Sequence, residues 1–303
     1  MVKDISQKSI DNLINEYNHS GFTAGSFGKA CKVIKDMVDD LDISVFLSLS
    51  GALIPAGQQK FLVDIISSGR ITGVVTTGAM LTHDYLEDLG YKHTPVDHNK
   101  SDEELRKNGI NRIYDMVALD EGFEVMEKSI HDFLEKNYPS SASNQINISV
   151  PDFLFDLGKD RSERSILGIC NRKNVPVYCP AITDSMLGVH IMTFREFHPQ
   201  FNVDIILELK KFSSLCFDQK KTSAIVLGGG VPKNYLFQGM LLSGRELTKA
   251  VQFTMDRPEH GGLSGASLNE AISWGKIEAA ADFVTVVIDV TIILPIISEL
   301  FKI

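Results

Sequence analysis

The sequence is poor in the residues whose spacing announces metal or redox chemistry. It holds four cysteines in 303 residues, Cys31, Cys170, Cys179 and Cys216, and no pair of them forms CxxC. That excludes a zinc ribbon or a dithiol motif, and the thiols read as reduced and mostly buried in a cytoplasmic protein. No HExxH occurs. His83, His93 and His98 stand ten and five residues apart with no carboxylate in register, so no metal is expected and these histidines read as surface or loop residues. Long hydrophobic runs are missing too. The most apolar tract, Phe283 to Leu300, is interrupted by Asp289, Pro295 and Glu299, so no membrane span is expected. The opening Met1-Val-Lys-Asp-Ile-Ser-Gln-Lys8 has no apolar core of a signal peptide. Positive charge is in deficit: 30 Lys and Arg against 39 Asp and Glu give a net charge of −9. Broad nucleic-acid binding wants a basic face and is not expected, whereas the acidic charge is compatible with attracting a cationic polyamine or a basic protein tail, as it is with an ordinary acidic globular protein. No repeat or low-complexity segment is visible.

What is present is globular: 44% hydrophobic and 23% charged residues, enough for a sizeable core. Short β-branched runs alternate with helical patterns. Strands are expected at 43–49, 71–77, 175–178, 222–227, 248–254 and 283–289. Helices are expected near 57–68, 81–89, 101–108, 121–136, 161–173, 203–216, from Pro232 onward, and 292–301. Strands separated by helical crossovers predict a mainly parallel sheet with helices on both faces, an α/β, Rossmann-like single domain. Residues 1–40 read as a helical extension and 41–303 as the α/β domain. The serine-rich Pro139–Asn144 is the best loop.

Two glycine turns come after strands, Thr76-Thr77-Gly78-Ala79 and Gly228-Gly229-Gly230. Bare backbone amides there can approach a phosphate and the next helix adds its dipole. Neither is GxGxxG, and both also read as ordinary strand-to-helix turns. Asp184 and Asp289 lie close to carboxyl ends of expected strands, where they can meet ribose hydroxyls or an amine, or simply cap the next helix. Ser264 misses the final glycine of GxSxG, which argues against hydrolase chemistry. The run Ser267 to Lys276 puts a lysine after the single tryptophan and a glycine. Locally, Ser267-x-x-Glu270 has the form of a capping box, Gly275 ends a short helix, and Lys276 is a solvated cation. The alternative is a lysine desolvated by the indole, whose neutral amine can condense with a carbonyl or imine carbon.

Glu270-Ala-Ile-Ser-Trp-Gly-Lys276 resembles the active-lysine motif of deoxyhypusine synthases. Gly21–Ala30, Asn108–Ile113, Val175–Asp184, Gly228–Lys233 and Gly261–Ala266 resemble further blocks of that family in the same order. Gly51–Gly57, Thr82-His83-Asp84 and Pro232–Tyr235 resemble an archaeal-type branch, and bacterial synthase-like proteins are similar as well. The resemblance implies NAD as cofactor, a polyamine donor and the hypusine-bearing translation factor as protein substrate, in a homotetramer with active sites across dimer interfaces. NAD would oxidise the carbon beside a donor amine, Lys276 would hold the aminobutyl group as an imine, and an acceptor lysine would capture it. The family's cofactor contacts fall on Gly51, Ala52, Thr77, Gly78, Ala79, Asp184, Gly229, Asp256 and Asp289. Its substrate contacts fall on Glu270, Trp274, Asn234, His83 and Gly261.

The chain departs from the family's usual pattern. Gly51-Ala52 replaces a serine-asparagine pair, His83 and Val189 stand where acidic residues bind the substrate amine, and Asn234 replaces a histidine. Loss of two carboxylates makes agmatine an alternative donor to spermidine. Transfer to putrescine, giving homospermidine, and a catalytically silent homologue are the rival expectations.

Overall fold

The computed structural model describes residues 7–139 and 145–302. The loop expected at 139–144 lies outside them except for Pro139, as does the amino-terminal stretch through Ser6. The chain divides into two compact units, one of residues 1–50, 64–75 and 209–303, the other of 51–63 and 76–208. The path passes from one unit to the other four times, so no single linker marks a boundary in the sequence.

The first unit carries the parallel sheet. Five of its strands, in spatial order, are Ile277–Val287, Leu247–Thr254, Lys221–Leu227, Ile43–Leu49 and Ile71–Val75. All neighbouring pairs are parallel. Burial on both faces explains their composition. In Ile43–Leu49 every residue but Ser44 is buried, and Lys221–Leu227 is buried after its first residue. Such strands read as continuous apolar runs rather than alternations. Each fully buried Leu, Ile or Phe contributes about 1.5–3 kcal/mol. Phe46 meets Phe212 edge-on at 5.9 Å, and Phe27 meets Phe253 at 6.1 Å. Phe27 lies on helix Phe22–Asp39, which with Gln7–Asn18 makes up the amino-terminal helices of this unit.

Strand register determines which residues reach the sheet's carboxyl edge. Leu49 pairs with Leu227, Leu227 with Phe253, and Thr254 with Val287. Ser50, Gly228, Asp256 and Asp289 therefore all emerge at that edge. The last strand is longer than the expected 283–289. It starts at Ile277 and bulges, since Leu247 pairs with Ile277 but Lys249 with Asp282.

The second unit is mostly helical. It holds helices Gly78–Asp88, Asp102–Lys107, Asp120–Asn137, Val150–Gly158, Ile166–Arg172 and Met186–Phe197. Antiparallel Thr94–Pro95, Met116–Leu119 and Ile110–Ile113 form a small sheet, and Ile146–Ser149 pairs in parallel with Phe201–Asp204. The helix expected from 203 thus begins at Ile205, after a strand in which Phe201 is buried. The helix expected from 161 begins at Ile166, where Ser165 Oγ accepts from Gly168 N and buried Asp84 accepts from Ile166 N. No helix among the described residues is long and apolar enough to cross a membrane.

Candidate active site

The helix Leu268–Ser273 is one and a half turns long and ends at Trp274, after which Gly275 turns left-handed at φ 65°. A side chain there would be strained, and glycine lets the chain reverse directly into the last strand. This reversal carries Lys276 inward. Its backbone carbonyl accepts from Leu247 N at 3.0 Å, and the residue is only 8% exposed. The solvated-cation reading is therefore overturned. Lys276 Nζ lies 5.3 Å from the centroid of the Trp274 ring, and desolvation by burial lowers its pKa. Trp274 itself stays 63% exposed, so the indole covers the amine while remaining open on its own account. The expected capping box does not form: Ser267 caps the helix without a side-chain hydrogen bond. The Glu270 carboxylate is exposed and not spent on capping.

A cavity of about 280 Å³ opens beside this amine, and Lys276, Trp274, Glu270 and Asn234 all line it. Its other walls include Lys233, Phe237 and Leu263. Lys233 is 4% exposed and sits in the first turn of helix Gly230–Ser243, where the helix dipole disfavours a cation. It donates to Gln252 Oε1 at 2.9 Å, to Leu263 O at 3.3 Å and to Ala266 O. Burial pushes its pKa down to about 8, against the opposing pull of Glu270. Gln252 is fully buried and donates to Gly228 O at 3.1 Å and Ser264 O at 2.8 Å. Lys233 and Gln252 were not singled out from sequence. The signal was a lysine in a helix's first turn.

The hydrogen bonds of Gln252 join the cavity to the glycine turn. Gly228 has φ 87°, and a Cβ there would collide with Ser50 Oγ. Gly229 donates its amide to the same Oγ at 2.7 Å, and a Cβ on it would lie 2.5 Å from Ser264 Cα. The three glycines are thus required by close packing and left-handed backbone. Gly229 caps the following helix with no side chain, so the first-turn amides receive no capping oxygen from it.

A family model described as "Deoxyhypusine synthase" matches residues 12–300. The chain belongs to the deoxyhypusine synthase family. A "Probable deoxyhypusine synthase" of Methanosarcina thermophila is 40% identical over 97% of this chain and 91% of its own length. Its namesake from Methanothermobacter thermautotrophicus is 38% identical over 94% and 91%. A crystal structure of a protein assigned as a deoxyhypusine synthase of Entamoeba histolytica has the same fold, with a TM-score of 0.67, 17% identity, and coverage of 98% of this chain and 93% of that one. The protein is accordingly a deoxyhypusine synthase-like transferase, of the family that transfers an aminobutyl group in hypusine biosynthesis.

The other residues expected from the deoxyhypusine synthase pattern fall into both units. In the first, Gly261 ends the short turn Pro258–His260 at φ 71°. It is exposed and does not line the cavity, where Leu263 stands instead. Asp256 accepts from Arg257 N and pairs with His260, and these hold its carboxyl below the usual range. Asp289 caps helix Val290–Glu299, its Oδ1 accepting from Thr291 N and Oγ1, each at 2.8 Å. In the second unit, Thr77 caps helix Gly78–Asp88 through Met80 N, and Gly78 packs against Ser185 so closely that a Cβ would collide. Ala79, Gly51 and Ala52 are exposed. Asp184 is also exposed, and its neighbour Ser185 rather than Asp184 caps the next helix.

Of the three histidines expected at the surface or in loops, His98 is exposed in a turn, whereas His83 lies on helix Gly78–Asp88 and His93, in a loop, is buried. His93 is 9% exposed. Its Nε2 meets His83 Nδ1 at 2.9 Å and its Nδ1 meets Glu87 at 2.8 Å. Desolvation, helped by His93, lowers the His83 pKa to about 4, so His83 is neutral near pH 7.

Proposed function

We propose that this protein transfers the aminobutyl group of spermidine, or of a related amine such as agmatine, through an imine on Lys276 to a specific lysine of the hypusine-bearing translation factor. The observation that carries the proposal is the buried amine of Lys276, held under an indole in a cavity that Glu270 also lines. A lysine attacks only as the neutral amine, and desolvation raises that fraction at physiological pH. Glu270 gives a cationic donor its carboxylate. Trp274 limits the access of water, which would hydrolyse the imine. Asn234 orients the donor by hydrogen bonds but has no basic group to take a proton. Lys233, protonated below about pH 8, adds positive charge to the cavity wall, which favours a donor whose uncharged methylene segment lies against it.

The glycine turn suits a dinucleotide: three close-packed glycines at the carboxyl edge of parallel strands open a helix without a side-chain cap, and Asp256 and Asp289 emerge at the same edge. Carried over from the family, Gly51, Ala52, Thr77, Gly78, Ala79 and Asp184 of the second unit are assigned to cofactor binding as well. Bound NAD would supply acceptance and return of a hydride at the aminobutyl carbon bonded to the donor nitrogen that leaves, as 1,3-diaminopropane from spermidine or guanidine from agmatine. Since that hydride returns, no net redox change accumulates.

The test is a borohydride trap. Enzyme, NAD and spermidine or agmatine are incubated, reduced, digested and analysed by mass. An aminobutyl gain on the Lys276 peptide, absent in Lys276→Arg, is expected; an unmodified Lys276 with turnover present would refute the proposal. Adding the translation factor or putrescine then identifies the acceptor by which of them gains the mass.

A further inference from the structure

We propose that Glu127, His131 and His190 form a binding site for a divalent transition cation of the zinc class, distinct in composition from the lysine cavity and contained within the second unit. One ligand atom from each of the three side chains lies within 4.8 Å of those of the other two. Glu127 and His131 are four residues apart on helix Asp120–Asn137, the spacing that puts two side chains on one face. His190 comes from helix Met186–Phe197. Two imidazoles and one carboxylate are the donor set of open zinc sites, which keep a fourth position for water.

The independent observation is His190 itself. It is 2% exposed, and neither Nδ1 nor Nε2 has a hydrogen-bond partner among the described residues. Leaving a buried polar group unpaired costs about 1–3 kcal/mol, and a cation would satisfy one of these two nitrogens.

The surroundings of His131 are arranged as those of a ligand. Thr193 Oγ1 donates its proton to His190 O at 3.1 Å, so toward His131 Nε2, also at 3.1 Å, it must accept. The His131 proton is thereby fixed on Nε2 and the lone pair on Nδ1. A histidine ligand whose other nitrogen donates to a fixed oxygen is the usual outer arrangement of such sites. Glu127 is exposed, so a cation can enter from solvent. The expected effect is a clip between the two helices. Histidine spacing in the sequence hid the site because its third member lies far along the chain.

The test uses the full chain, free of any affinity tag and dialysed against chelator. Titration with CoCl2 should give visible absorption of four- or five-coordinate cobalt at one equivalent per chain, displaced by ZnCl2, and zinc should raise the melting temperature. Glu127→Gln, at the surface, should weaken zinc binding about tenfold or more. His190→Phe, which fills the same space without a donor atom, should abolish it with circular dichroism unchanged. Absence of zinc-displaceable cobalt absorption in the unaltered chain, or zinc affinity unchanged in the Glu127→Gln variant, overturns the proposal.

Discussion

A lysine amine is a nucleophile only in the fraction that has lost its proton, so the chemistry here turns on desolvation. Lys276 is shifted down from 10.5 by burial. The rate of covalent trapping should therefore rise with pH and reach half its plateau below pH 10.5, as measured by quenched single-turnover reactions across pH 6–12. A half-maximal rate at or above that value would mean the amine behaves as if in water. Lys233 gives a complementary prediction on stability, from a pKa lowered to about 8. Below about pH 8 it is protonated in folded and unfolded chains alike, and the cost of burying its charge is present in full. Between about 8 and 10.5 the unfolded chain holds the extra proton, so stability rises with pH. Lys233→Met should flatten that rise relative to the unaltered chain, read as the difference in urea midpoint between pH 7 and pH 9.5. Lys276 was legible from sequence because the motif is explicit. Its burial stood there beside the rival reading of a solvated helix end, and only the turn at Gly275 decides between them.

At the scale of elements, the glycine turn and the last helix separate structural from binding roles. Gly229 has an extended backbone, φ 174°, so alanine there is not a matter of dihedral strain. Its Cβ would press on Ser264 Cα and force the loop away. Gly229→Ala should destabilise the protein by about 1–3 kcal/mol and weaken NAD binding about tenfold, the latter measured by calorimetric titration. Asp289 caps its helix, and asparagine caps equally well. Asp289→Asn should thus leave the melting temperature nearly unchanged and still lower NAD affinity if the carboxylate meets the cofactor. Equal affinity in that variant would leave Asp289 a cap alone. Strands such as Ile43–Leu49 were legible because burial on both faces writes an unbroken apolar run. The strands Thr94–Pro95, Ile110–Ile113 and Met116–Leu119 were not, being two to four residues long and partly exposed. Helix Val150–Gly158 was missed although its buried Val150, Phe153, Leu154 and Leu157 recur at the helical period.

For the whole molecule, the exposed apolar mouth of the Lys276 cavity argues for catalysis shared between copies of the chain. Lys276 stands at the amino end of the last strand, while Gly229 and Asp289 emerge at the carboxyl edge. The mouth of the Lys276 cavity also has an apolar rim, since Trp274 and Leu263 line it and are 63% and 47% exposed. A second copy would cover that rim and bring a glycine turn toward the amine, as expected of a homotetramer with sites across dimer interfaces. Light scattering should give four times the chain mass. The stronger check is complementation between Lys276→Arg and Asp289→Ala chains, each inactive alone. If one site takes its lysine from one copy and its carboxylate from the other, every mixed dimer contains one intact site. Random co-assembly should then recover about a quarter of full activity. If lysine and carboxylate act within one chain, every site in the mixture carries a defect and no activity returns.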